Sequence, residues 1–294
     1  MKIIDTHVHL GDIYGTDPDF SIENRAQETT HPGKPNLYER LAFTNIYFGW
    51  LNYLFKPLVA SSARSIVKYG NLPNLLDSMK KTNVEKSIVL ALEPYVPTDG
   101  IIKACRQNDK LIPFCSVHPR DKEKNYKLRK YIGEGCCGLK IHPVIQKIAP
   151  DDPATLELLE EAKTYNVPVL LHTGWGSIGK GGYGLTKHYK KMLDAFPKMT
   201  FILAHMGFYE PLPLLDLIKN RPNVYVDTSW QPAGIIRKAL EMVGADRILL
   251  GSDWPFNLQS TSLNIVRKVT ENDPAVREKI LYKNAERIIR FNTL

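Results

Sequence analysis

The sequence predicts a (β/α)8 barrel, an α/β fold, across residues 1–294. Three observations carry this reading. Eight short apolar, β-branched runs recur along the 294 residues. They are near-continuous in hydrophobicity rather than alternating, as parallel strands covered on both faces are. Helical periodicity fills most of the intervals between them, and eight βα units in about 300 residues suit this barrel. A doubly wound open sheet is the alternative use of the same units.

The first run covers residues 3–9, after which the chain leaves the repeat. Residues 11–71 separate it from its helix at 72–82. Pro18, Pro32, Gly33 and Pro35 make the early part of this stretch a loop. The later part, 37–54, carries Tyr38, Phe43, Tyr47, Phe48, Trp50 and Tyr53. A segment this long inside a compact fold is usually functional or forms an element of its own. It reads as a helical insertion over the barrel mouth, and its aromatics suit a homodimer contact or a satellite core equally well.

The second and third strands are expected at 87–92 and 111–117. Residues 120–130 are rich in charge but broken by Asp121 and Glu123, and read as a solvated helix. The fourth strand is 138–142. At 155–165, Leu156, Leu159 and Ala162 fall at helical spacing, with Asp152-Pro153 as a start signal and Asn166-Val167-Pro168 as a stop. Strands at 169–172, 201–205, 224–228 and 248–253 then alternate with helices at 187–196, 213–219 and 235–243.

Hydrophobic residues make up 43% and charged residues 24%, which excludes a disordered or collagen-like chain. No apolar run approaches the ~18 residues of a membrane span. The opening Met1-Lys2-Ile3-Ile4-Asp5 leaves no signal-peptide core, so a cytoplasmic protein is expected. Net charge is +8, but the basic residues are scattered, and nucleic acid is not expected as a partner. The four cysteines, at 105, 115, 136 and 137, form no CxxC pair and read as buried, reduced thiols.

The chemistry concentrates at strand ends. His7 and His9 sit two apart in Asp5-Thr6-His7-Val8-His9, so both point to one face of the strand with Asp5 below. His172, His205 and Asp253 close the fifth, sixth and eighth strands. A lone buried histidine is commonly a satisfied core residue, and an Asp after a strand is commonly a helix cap. Four histidines and an Asp converging on one barrel mouth, where active sites of this fold lie, point instead to a divalent metal.

These words resemble the amidohydrolase superfamily, specifically its amidohydrolase-related, aminocarboxymuconate-semialdehyde decarboxylase-like branch. The resemblance rests on residues 5–9, Gly138-Leu139-Lys140-Ile141-His142-Pro143, Ala204-His205-Met206-Gly207, Gly251-Ser252-Asp253-Trp254-Pro255 and the terminal 280–287. It implies one metal ion, usually Zn2+, on His7, His9, His172 and Asp253, with His205 beside it as a non-ligand. Asp253 and His205 are then the catalytic pair that moves protons, because a divalent ion lowers the pKa of water from 15.7 toward about 7.

Lys140 has three readings: a carbamylated bridge to a second ion held by His172 and His205, a cation for a substrate carboxylate, or a partner for Asp5. Arg120 follows the third strand and offers a bidentate carboxylate grip, or else lies on the surface. His118 and His142 stand at neighbouring strand ends, while His31 and His188 read as surface. The glycine-rich 174–184 lacks a phosphate-loop ending and reads as a lip over the mouth. Trp175, Trp230 and Trp254 follow strands five, seven and eight and would wall a pocket for a planar substrate.

The sequence therefore predicts a metal-dependent hydrolase of a small, carboxylated molecule, acting on an amide, lactone or related bond. Arg120, Lys140, His142, Trp175 and Trp254 are the expected substrate contacts. The rivals are a nonoxidative decarboxylase of an aromatic or enoic acid, a TatD-like nuclease and a ligand-binding barrel without catalysis. The nuclease would ordinarily carry Glu where this chain has Lys140.

Overall fold

In a computed structural model, residues 1–24, 56–176 and 178–291 are described. Most of the insertion, with its aromatic stretch and His31, lies outside these residues.

Eight strands form one sheet in sequential order, every neighbouring pair parallel. They are β1 (Ile4–His9), β2 (Lys86–Leu90), β3 (Leu111–Ser116), β4 (Leu139–Ile141), β5 (Val169–Gly174), β6 (Phe201–Phe208), β7 (Val224–Asp227) and β8 (Ile248–Leu249). The sheet closes where the chain beyond β8 runs along β1. Thr6 N–H donates to the Leu250 carbonyl at 2.9 Å, Asp253 N–H to His7 at 2.8 Å and His9 N–H to Trp254 at 2.7 Å. The barrel is thus the expected one, although regular β8 is only two residues long.

The described helices are α1 (Lys56–Val67), α2 (Leu72–Thr82), α3 (Thr98–Cys105), α4 (Lys124–Gly133), α5 (Pro143–Gln146), α6 (Pro153–Thr164), α7 (Tyr189–Ala195), α8 (Pro211–Ile218), α9 (Ala233–Val243), α10 (Gln259–Val269), α11 (Pro274–Glu278) and α12 (Asn284–Ile288). Their boundaries follow local chemistry. Asn71 accepts from Asn74 N–H at the start of α2, and Asp152 accepts from Ala154 N–H at the start of α6, each ahead of a proline in the first turn. Among the described residues, no helix is long and apolar enough to cross a membrane.

Two apolar layers result. One lies between the strands and the helices and includes Val8, Val89, Cys115, Leu171 and Trp254. The other plugs the barrel interior with Ile88, Leu90, Phe114, Leu170, Ile202 and Leu249. Cys136 packs in the outer layer and Cys137 in the inner one; all four cysteines are free and buried. The inner plug sets the floor of the barrel, below the histidines at the C-terminal ends of the strands.

Candidate metal centre and active site

At the level of the plug residue Leu170, the register brings Ser116, Lys140 and Leu170 side by side. His142 stands two residues above Lys140, and His172 two above Leu170. β1 slips register between Asp5 and Val8, and β5 slips against β6 between His172 and Gly174. Such bulges re-aim side chains at barrel rims. At Gly174, φ is +95° and an added Cβ would fall on the Phe208 backbone, so only glycine lets the two strands cross there.

His205, Met206, Tyr209, Trp230 and Asp253 all adopt positive φ, between 47° and 70°. Each such non-glycine residue costs about 1–3 kcal/mol, and the cost is tolerated where packing enforces the conformation. These five cluster at the strand ends of β6, β7 and β8. The strain turns His205 and Asp253 into the mouth.

The centre of the mouth is a tight group of three. His7 Nε2 lies 3.2 Å from His9 Nε2 and 3.2 Å from Asp253 Oδ1. His9 Nε2 lies 3.4 Å from the same oxygen. On its other side the His7 ring places Nδ1 2.8 Å from Asp227 Oδ2. That carboxylate accepts a hydrogen bond from His7 Nδ1–H, so Nε2 is the atom free to ligate, and in that form it presents a lone pair toward another lone pair and an anion. A cation relieves this arrangement.

Two further buried atoms of the site, His9 Nδ1 and His172 Nε2, have no hydrogen-bond partner. The His172 ring stacks on His142, with centroids 4.0 Å apart, and meets the His205 ring edge-on at 4.9 Å. The nitrogen-rich donor set and the unpartnered His172 nitrogen fit a divalent ion on His7, His9 and Asp253 with His172 as the fourth group. His172 stands outside the tight three-residue group.

Burial drives the electrostatics. It lowers His9 to about 4 and His205 to about 3, and holds His142 and His172 well below the ordinary imidazole value. These rings are neutral at pH 7, as ligands and bases must be. Burial opposes charge on Asp253 too, but His7 and His9 beside it keep its carboxyl well below the usual range. Trp230 Nε1 donates to Asp253 Oδ2 at 2.6 Å and holds that carboxylate in place. Burial lowers Lys140 to about 8, against the pull of Asp253 and Asp227, and its Nζ makes no hydrogen bond. It does not pair with Asp5, which instead accepts from Ser252 and Gln259.

The cleft above is walled by Ile13, Tyr14, Trp175, Phe208, Tyr209, Trp230 and Phe256, with His142, His172, His205 and Asp253 at its base. Gly176 and Ile178 of the glycine-rich segment form part of the rim. Three expected substrate contacts lie elsewhere. Trp254 is fully buried in the outer layer, where it bridges to Val8 of β1. Arg120 is about two-thirds exposed and pairs with Asp152 at 2.9 Å, because the chain after β3 turns outward toward α4. Lys140 is buried beneath the cleft rather than lining it. His118 bonds the Gln146 carbonyl, and His188, expected at the surface, is half-buried against Asp151.

Sequence reasoning missed Asp227. Its signal was an aspartate inside the apolar run Val224-Tyr225-Val226-Asp227, level with the strand-end histidines.

A parallel barrel whose strand ends gather histidines and an aspartate defines a class of metal-dependent barrel enzyme. The chain belongs to the amidohydrolase family, whose model matches residues 73–291. The match begins after β1 and so does not extend to His7 and His9. Curated proteins give no match. Solved structures share the fold at low identity. An uncharacterized TIM-barrel protein from Bordetella bronchiseptica is 18% identical, with TM-score 0.70 and 98% of each chain covered. The 5-carboxyvanillate decarboxylase of Novosphingobium aromaticivorans, complexed with manganese and 4-hydroxy-3-methoxy-5-nitrobenzoic acid, is 17% identical, with TM-score 0.69, covering 97% of this chain and 95% of that one. A probable 2-pyrone-4,6-dicarboxylic acid hydrolase from Acinetobacter baumannii, with citric acid bound, is 14% identical, with TM-score 0.63, covering 98% and 99%.

Proposed function

We propose that this enzyme is a metal-dependent hydrolase of a small, planar substrate with a reactive carbonyl. The observation that carries the reading is the convergence of His7 Nε2, His9 Nε2 and Asp253 Oδ1 within 3.4 Å of one another. A divalent ion held there, with His172, supplies Lewis acidity toward a carbonyl or water. The nitrogen-rich donors favour Zn2+.

The chain's own residues divide the remaining work. His205 donates Nδ1–H to Ser229 Oγ at 2.7 Å, which leaves its Nε2 lone pair facing the cleft to accept a proton from attacking water. His142 Nδ1 accepts the Ile145 N–H at 3.3 Å, so its proton sits on Nε2, where it donates to oxygen as negative charge develops. Asp253, anchored by Trp230, receives and returns a proton. Trp175, Tyr209 and Phe208 hold a flat substrate and exclude water. Ile13 and Tyr14 bring the start of the 11–71 insertion to the cleft wall, in keeping with a covering role for that segment.

A second reading, nonoxidative decarboxylation of an aromatic acid, is favoured by the wall itself. Six of its residues are aromatic, and no arginine or lysine among the described residues lines the cleft. A substrate carboxylate would then bind at the base of the cleft, beside His142 and the metal ligands, and would need no Arg120. The test is a paired screen of lactones and amides for acid release and of aromatic acids for CO2 release, with wild type and His205→Asn. Turnover of a lactone or amide, lost in the variant, supports hydrolysis. CO2 release alone moves the assignment to the second reading, and no turnover in either set removes both.

A further inference from the structure

Asp227 lies fully buried behind His7 and lines no part of the cleft. Its Oδ2 is 2.8 Å from His7 Nδ1. Its Oδ1 accepts the backbone N–H of His205 at 3.1 Å, the backbone N–H of Ser229 at 3.0 Å and the Ser229 hydroxyl. Ser229 Oγ is in turn 2.7 Å from His205 Nδ1. One carboxylate is therefore connected to two site histidines, directly to one and through a hydroxyl to the other.

The direction of each bond follows from counting protons. Two backbone N–H groups reach Oδ1, and these can only donate. An ionised carboxylate can only accept. The bond to His7 therefore carries a proton on Nδ1, which leaves Nε2 as the ring atom turned to His9 and Asp253. Ser229 has one proton, and it goes to Asp227. Its oxygen is then an acceptor for His205, which must carry its proton on Nδ1 and leave Nε2 bare.

We infer that Asp227 is a positioning residue that fixes the tautomers of both His7 and His205, making one Nε2 a metal ligand and the other a proton acceptor. Carboxylate partners of this kind orient metal-bound histidines generally. Here a single carboxylate serves the metal side and the proton-transfer side together. The donor atoms of His7, His205 and Asp227 also lie within 4.8 Å of one another, as those of a second metal site would. Both oxygens of Asp227 are already engaged by hydrogen-bond donors, so the cluster works as a proton-ordering hub. The inference rests on the proposed roles of His7 and His205.

The test uses the full chain labelled with 15N in the histidine rings. The metal-free wild type should show a protonated Nδ1 on both His7 and His205, with Nε2 bare on His205, assigned by loss of their signals in His7→Gln and His205→Gln. A bare Nδ1 on either ring overturns the inference. In Asp227→Asn the side-chain amide can donate to His7 Nδ1 and reverse its tautomer. Zinc and manganese affinity, measured by chelator competition, should then fall about 10–100-fold. Unchanged affinity with unchanged His7 shifts overturns the assignment.

Should Asp227→Asn fail to fold, Ser229→Ala and Ser229→Thr decide the other half. The alanine variant should change the His205 ring shifts and lower kcat with KM and metal affinity retained, and the threonine variant should restore both. Equal behaviour of the two contradicts the relay. Failure of the wild type to bind either metal defeats the functional reading instead, while the tautomers are still read directly from the spectrum.

Discussion

Trp230, just beyond β7, donates its indole N–H to Asp253 Oδ2 at 2.6 Å, leaving Oδ1 to face His7 and His9. The bond spans two strand ends and divides one carboxylate between anchoring and ligation. A hydrogen bond to a charged group contributes about 1.5–3 kcal/mol. Trp230→Phe keeps the ring and removes the donor. Metal affinity in that variant should fall about 10-fold with the circular dichroism unchanged; unaltered affinity would mean that Asp253 needs no such anchor.

Arg120 provides a contrast with its sequence expectation. Its pair with Asp152 is largely exposed, and exposed pairs contribute about 0–1 kcal/mol. Arg120→Ala should therefore leave KM within about twofold and barely change the melting temperature. A tenfold rise in KM would bring Arg120 back to the substrate.

The tryptophans should separate in the same way. Trp254 is fully buried, and Trp254→Ala should cost about 3–5 kcal/mol of stability, read by denaturant unfolding. Trp175 lines the cleft, so Trp175→Ala should mainly raise KM. A reversal of the two phenotypes would place Trp254 in the pocket after all.

Metal-free protein should lose stability in acid. His9, near 4, and His205, near 3, with His142 and His172 also lowered, stay neutral in the fold, while the unfolded chain protonates them near 6.5. The unfolded state thus binds more protons below 6.5, and stability, complete above that value, declines as pH falls toward 4 and then 3. For His9 alone the difference is roughly 3 kcal/mol. Asp5, raised to about 6 by burial, acts in the opposite sense between 6 and its ordinary value, while His7, whose pKa is raised, changes stability only above 6.5. Four groups outweigh one. Melting temperatures of the chelated protein should drop steeply from pH 6.5 to 4; a flat profile would show that these rings are not held neutral.

Much of this was legible in the sequence. All eight strands could be placed because parallel strands buried on both faces are continuous apolar runs, and the strand-end histidines stand out against them. Asp227 was hidden because a single aspartate in such a run carries no mark of its partner, 220 residues away. The side on which Trp254 falls depends on the path of the chain beyond a two-residue strand, and the outward course of Arg120 on a turn after β3. The positive-φ residues that aim His205 and Asp253 have no sequence signal short of glycine, and none of the five is glycine.

The central claim is the metal centre, and the most direct measurement is metal content per chain by elemental analysis, for wild type and His9→Ala purified without chelators. The expected result is about one divalent ion per wild-type chain, zinc or manganese, and close to none in His9→Ala with the fold retained. Wild-type protein that carries no metal and takes up none on reconstitution would contradict the account.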